Sequence, residues 1–161
     1  MDRPTDLVVV GVDDSTGGRA ALRFALSDAA RRGARVVAIA AFRRPPEDVW
    51  GVGGTALLTV AQVHDDVRAR VTQIVDEVRS DLGGIVAPPV TVLAVAGGAG
   101  EVLVHAARTA DLLVVGSRSR SALGSAVLGS VSAHCVRQAQ CPVTVVHPVR
   151  DRVAATAALR S

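Results

Sequence analysis

Two stretches of the chain carry groups that could hold a ligand: residues 11–15, GVDDS, and residues 116–132, GSRSRSALGSAVLGSVS. A turn rich in glycine and serine that feeds a helix offers converging backbone N–H groups at the positive end of the helix dipole, which is the chemistry of an anion site. Gly116, Ser117, Ser119, Gly129 and Ser130 supply close backbone approach and hydroxyl donors, and the amides up to Val131 complete the turn. Arg118 and Arg120 add positive charge with no acid nearby in sequence. In the first stretch Asp13 places a carboxylate directly after an apolar run, while Asp14 and Ser15 also suit a helix cap.

All 18 basic residues are arginine. A Schiff-base enzyme, a Walker-type loop and a lysine general base are therefore excluded, and any phosphate must be held by backbone N–H groups, hydroxyls or arginine. The net charge of +3 comes from arginines interspersed with 15 acids rather than gathered in a stripe, so nucleic acid is not an expected partner. Phe24, Phe42 and Trp50 are the only aromatic residues, too few for a base-stacking platform. No GxSxG elbow stands at a strand-to-helix turn, and none of the four histidines shows metal-ligand spacing with another. Cys135 and Cys141 have neither CxxC spacing nor a second pair, and read as free thiols packed as small apolar residues. The opening MDRPTDLVVVGVDDS has no secretory or membrane-spanning run, from which a cytoplasmic protein is expected.

The elements that must position these groups follow from the apolar pattern. Residues 7–12, LVVVGV, run without alternation, as a strand buried on both faces does. Ala21, Phe24, Ala25 and Ala29 then share a helix face, with Gly33 as the left-handed stop. A strand is expected at 35–42, an irregular loop at 43–54 containing Trp50, and a long helix at about 56–82 with Val60, Val63, Val67, Val71, Ile74, Val78 and Leu82 as its buried stripe. Strands at 90–96, 111–116 and 143–147 and helices at 101–110 and 127–138 complete the pattern. Strict strand–helix alternation predicts an open, doubly wound, mainly parallel five-stranded sheet with helices on both faces. Residues 1–149 form that domain and 150–161 a tail. Ligands of such sheets bind beyond the carboxyl ends of the strands where strand order reverses, which is where both glycine-bearing stretches fall.

The order of VVVGVDDS, ADLLVVGS, LGSVS and CPVTVVHP resembles the universal stress protein family over nearly the whole chain. The resemblance implies a Rossmann-like fold of the adenine nucleotide alpha hydrolase-like type. It also implies a cytoplasmic stress-response regulator that binds ATP, with Mg2+ held by phosphate oxygens, and that forms a homodimer through the last strand, 143–147. In the nucleotide-binding branch, a glycine loop after the fourth strand wraps the phosphates. Gly116, Gly129 and Ser130 match its first and last positions, and Ser119 stands where the middle glycine would be. By the same resemblance Asp13 lies near the adenine and ribose with Gly11 beside it, and Ala40 and Ala41 line the base pocket. Two alternatives stay open: a homodimeric interaction protein of the same fold that needs no nucleotide, and an adenylate-processing enzyme. Against the enzyme stands the lack of an acid–base pair beyond Asp13 and Asp14, so any hydrolysis would be slow.

Overall fold

The computed structural model describes residues 6–44, 59–117 and 128–148. Five parallel strands form one sheet: β1 Leu7–Gly11, β2 Arg35–Phe42, β3 Val90–Ala96, β4 Leu112–Gly116 and β5 Val143–Val146, in the order β3-β2-β1-β4-β5. The helices are α1 Thr16–Arg32, α2 Val60–Ser80, α3 Ala99–Ala106 and α4 Ser130–Gln138, and a short 3-10 turn, Ala107–Thr109, follows α3. The chain builds outward from β1 through β2 to β3, then crosses back to add β4 and β5 on the other side. The strand order therefore reverses between β1 and β4, which pair directly through Val8 with Leu112 and Val10 with Val114.

The unbroken apolar runs are explained by burial on both faces. Val8 and Val10 of β1, with Leu112 and Val114 of β4, lie in a cluster beneath α1 and α2. The alternate residues Val9, Leu113 and Val115 lie in a second cluster with Leu103 and Ala107 of the α3 side and Cys135 of α4. Side chains of a strand alternate between faces, so a strand between two helical layers must be apolar at every position. Cys135 is fully buried and Cys141 partly so, both as free thiols, and burial pushes both thiols above their ordinary pKa.

Helix ends set where the functional turns begin. Ser15 caps α1, its hydroxyl accepting from the Gly18 N–H at 2.9 Å, and Gly33 closes the helix at φ 67°. A reciprocal capping box opens α2: Thr59 Oγ1 accepts from the Gln62 N–H at 3.2 Å, and Gln62 Oε1 accepts from the Thr59 N–H at 2.7 Å. The buried stripe of α2 contains Val75 beside Val71, Ile74 and Val78, whereas Val67 and Leu82 are only partly buried and pack at its margin. α3 starts at Ala99 rather than 101, because Gly98 takes the extended N-cap conformation and the next residues enter a first turn whose N–H groups have no helical acceptors to satisfy. α4 starts at Ser130 rather than 127, since Gly129 holds φ −61° and ψ 159° and so lies outside the helix. β5 ends at Val146, one residue short of the expected strand, and forms one edge of the sheet.

The loop with Trp50 lies almost wholly outside the described residues, as does the C-terminal tail. Among the described residues no helix is long and apolar enough to cross a membrane.

Candidate ligand cleft

A cleft of about 200 Å³ opens at the carboxyl edge of the sheet, at the point where strand order reverses. Its wall includes Gly11 and Asp13 from the end of β1, Ala41 from β2, Gly116 from β4, and Gly129 and Val131 from the start of α4. Six residues chosen from sequence thus meet in one space. Ser130 lines an adjoining hollow of about 470 Å³ that shares Ala41, Ala99 and Val131 with the cleft and adds Arg43, Glu101 and His134.

Ala40 does not join them. It is buried in the cluster beneath α1 and α2, while its neighbours Ile39 and Ala41 line the cleft, because consecutive residues of a strand face opposite sides. Ser117 is also buried and outside the cleft wall. Its N–H donates to the Val146 carbonyl at 2.8 Å and its carbonyl accepts from the Gly129 N–H at 2.8 Å, so it pins the two ends of the glycine loop together. Arg118, Ser119 and Arg120 lie outside the described residues.

Close backbone approach explains the glycines more sharply than ligand contact alone. A Cβ on Gly116 would sit 2.6 Å from the carbonyl carbon of Gly17, so the first turn of α1 rests on the end of β4. A Cβ on Gly18 would sit 2.2 Å from Asp13 Oδ1. On Gly11 it would meet the flexible Leu103 side chain at 2.7 Å. Gly18 lines the cleft and was not singled out from the sequence, although two glycines in the first turn of a helix are poor helix formers and signal a close approach. Ile39, Ala99, Leu103, Val115 and Ser132 also line the cleft; their apolar or small side chains carry no chemical signal in sequence.

Asp13 lies against the start of α1. Its Oδ1 accepts from the Ser15 N–H at 3.2 Å and from the Ser15 hydroxyl. Asp14 turns away toward α2, and Arg70 of α2 together with Arg19 of α1 holds its carboxyl below the usual carboxylate range. The cap of α1 is thus Ser15, and Asp14 is an ion-pair residue. The opening of α4 is built differently. Gly129 offers no side-chain cap, so the first N–H groups of α4 have neither a helical acceptor nor a cap among the described residues. The Ser132 hydroxyl bonds to the Gly129 carbonyl at 2.9 Å rather than to those donors. No group of three or more potential metal ligands gathers among the described residues.

A parallel sheet with a glycine-lined cleft at its switch point and an uncapped helix start beside it defines the doubly wound α/β class of ligand-binding domains. The sequence profile of the universal stress protein family matches residues 5–147, and the chain belongs to that family. It is 30% identical over 148 residues to universal stress protein Rv2005c of Mycobacterium tuberculosis, a match covering 87% of this chain and 47% of the relative. The chain therefore spans about half the length of the curated relatives it matches. Among solved structures it is similar to a universal stress protein in complex with cAMP, with TM-score 0.62, 26% identity, and coverage of 90% of this chain and 98% of the other. It shares the fold of universal stress protein UspA from Lactobacillus plantarum, with TM-score 0.70, 19% identity, and coverage of 90% and 99%.

Proposed function

We propose that this chain is a regulatory protein that binds an adenine nucleotide, ATP in particular, in the cleft at the switch point. The observation that carries the reading is the pairing, in one cleft, of an apolar chamber with an uncapped helix start. Ile39, Ala41, Leu103, Val115 and Val131 give a ring-sized apolar chamber, and about 200 Å³ is room for a purine but not for its phosphates as well. The phosphates then fall to the first turn of α4, where Ser130, Val131 and Ser132 present N–H groups at the positive end of the helix. Asp13 spends only Oδ1 on Ser15, which leaves Oδ2 to accept ribose hydroxyls. Arg118, Ser119 and Arg120 would approach the phosphates from the loop, and Mg2+ would be carried by phosphate oxygens and water. The similarity to a cAMP complex supports the adenine nucleotide class.

The protein acts in the cytoplasm as a homodimer through β5. The apolar, half-buried residues of that strand lie at a sheet edge, and an edge of this kind needs a cover. Residues 1–149 form the binding domain and 150–161 a tail.

Calorimetric titration with ATP, ADP, AMP and cAMP, with and without Mg2+, tests the reading. Saturable binding that Asp13→Ala abolishes supports it. Silence for all four ligands from a folded dimer overturns it and leaves a nucleotide-independent interaction protein.

A further inference from the structure

Five side chains close a ring on the outer face of the molecule, between the first turns of α1 and the middle of α2. Arg70 donates to Asp14 Oδ2 and, at 2.9 Å, to Gln73 Oε1. Gln73 donates to Glu77 Oε1 at 2.8 Å, and Arg19 donates to Glu77 Oε2 at 2.8 Å. Arg19 closes the circuit on Asp14 Oδ1 with its Nε at 3.2 Å and its Nη2 at 2.9 Å. None of the five lines the cleft. A single exposed ion pair does little, since screening and side-chain entropy cancel most of its attraction. This ring differs in two respects. Asp14, where both arginines converge, is only 20% exposed. Each carboxylate is held by two donor side chains, Asp14 by Arg19 and Arg70 and Glu77 by Arg19 and Gln73.

Asp14 is bonded to Asp13 through one peptide unit. The short turn 13–15 is therefore held from both sides: inward by Asp13 on Ser15, whose hydroxyl in turn accepts from the Gly18 N–H, and outward by Asp14 on the ring. We propose that this ring makes α2 part of the ligand site, with Arg70 a positioning residue that fixes the Asp13 turn and thereby sets affinity without touching the ligand. The proposal rests on the nucleotide reading for its affinity arm and on the turn alone for its second arm.

The test uses the full chain with two variants, Arg70→Ala and Arg23→Ala. Arg23 pairs with Asp81 at 3.1 Å between the same two helices but away from the turn, so it controls for loss of α1–α2 docking. Arg70→Ala is expected to weaken ATP binding by about threefold to tenfold, with Arg70→Lys restoring part of the loss and Arg23→Ala leaving affinity unchanged. Hydrogen exchange of the ligand-free protein is expected to quicken over residues 13–19 in Arg70→Ala by a similar factor and to stay level in Arg23→Ala. If the parent protein binds no nucleotide, the functional reading fails and the exchange result alone decides the ring. Unchanged exchange at 13–19 in Arg70→Ala overturns the proposal, as do equal affinity losses in Arg70→Ala and Arg23→Ala.

Discussion

The β1–α1 and β4–α4 junctions meet the same problem at the same edge of the sheet and solve it in opposite ways. Each must begin a helix whose first N–H groups lack acceptors. At the first junction the chain supplies the acceptors itself, with Ser15 bonded to the Gly18 N–H and Asp13 bonded to Ser15. At the second, Gly129 holds the cap position and supplies no side-chain acceptor, and none of the other described residues caps the helix. Among the described residues, a closed junction beside an open one gives the cleft a carboxylate on one wall and helix N–H groups without a side-chain cap on the other.

The largest effect is expected where the two junctions touch. Gly116→Val forces a side chain into the Gly17 backbone, which cannot retreat as a flexible side chain can. The protein is expected to lose about 1–3 kcal/mol, read as a lower midpoint in urea unfolding, together with ligand binding. A midpoint equal to that of the parent would show that the junctions are not in firm contact.

Converting the open junction into a closed one sharpens the contrast. Gly129→Asp places a capping carboxylate at the start of α4 and a negative charge where phosphate would lie. Stability is expected to rise by about 0.5 kcal/mol, while nucleotide affinity falls about tenfold, or ~1.4 kcal/mol. Stability and affinity moving in the same direction would contradict the division of labour between the junctions.

The smallest effect concerns the outer support of the closed junction. Asp14 is held below its ordinary pKa of 3.8 by Arg70 and Arg19, and Glu77 below 4.5 by Arg19 and Gln73. Carboxyls whose folded pKa is depressed contribute stability that is present above the unfolded value and lost as pH falls through the folded value. The groups facing them are Arg19 on α1 and Arg70 and Gln73 on α2. The difference in melting temperature between the parent and Asp14→Asn is thus expected to be full at neutral pH and to close below about pH 4. A difference that stays constant across that range would remove the ring as a charge-dependent support.

Much of this was legible in the residues. The unbroken apolar run of β1 announced burial on both faces, and Gly33 marked the end of α1, whereas the choice of Ser15 over Asp14 as its cap came from the structure. Asp13, Gly116 and Gly129 came together in the cleft as their positions after strands and before helices implied. The start of α4 was misplaced by three residues because Val127 and Leu128 are as apolar as a helix face, yet Leu128 is 40% exposed and lies outside the helix. Ala40 was placed in the cleft with Ala41 because two small residues in succession look alike in sequence, whereas the pleat sends them to opposite layers. Gly17 and Gly18 gave no signal that was used from the sequence, and they are the surface against which Gly116 and Asp13 pack.

By itself, the sequence determined the element types, their order and the sheet's parallel class, since these depend on periodicity and turn residues. Only the tertiary structure decided which helix start is capped and which is open, and which face each strand residue lines. It also decided that Asp14, Arg19, Arg70, Gln73 and Glu77 meet, because Asp14 and Arg70 stand 56 residues apart and only the packing of α1 against α2 brings them within bonding reach.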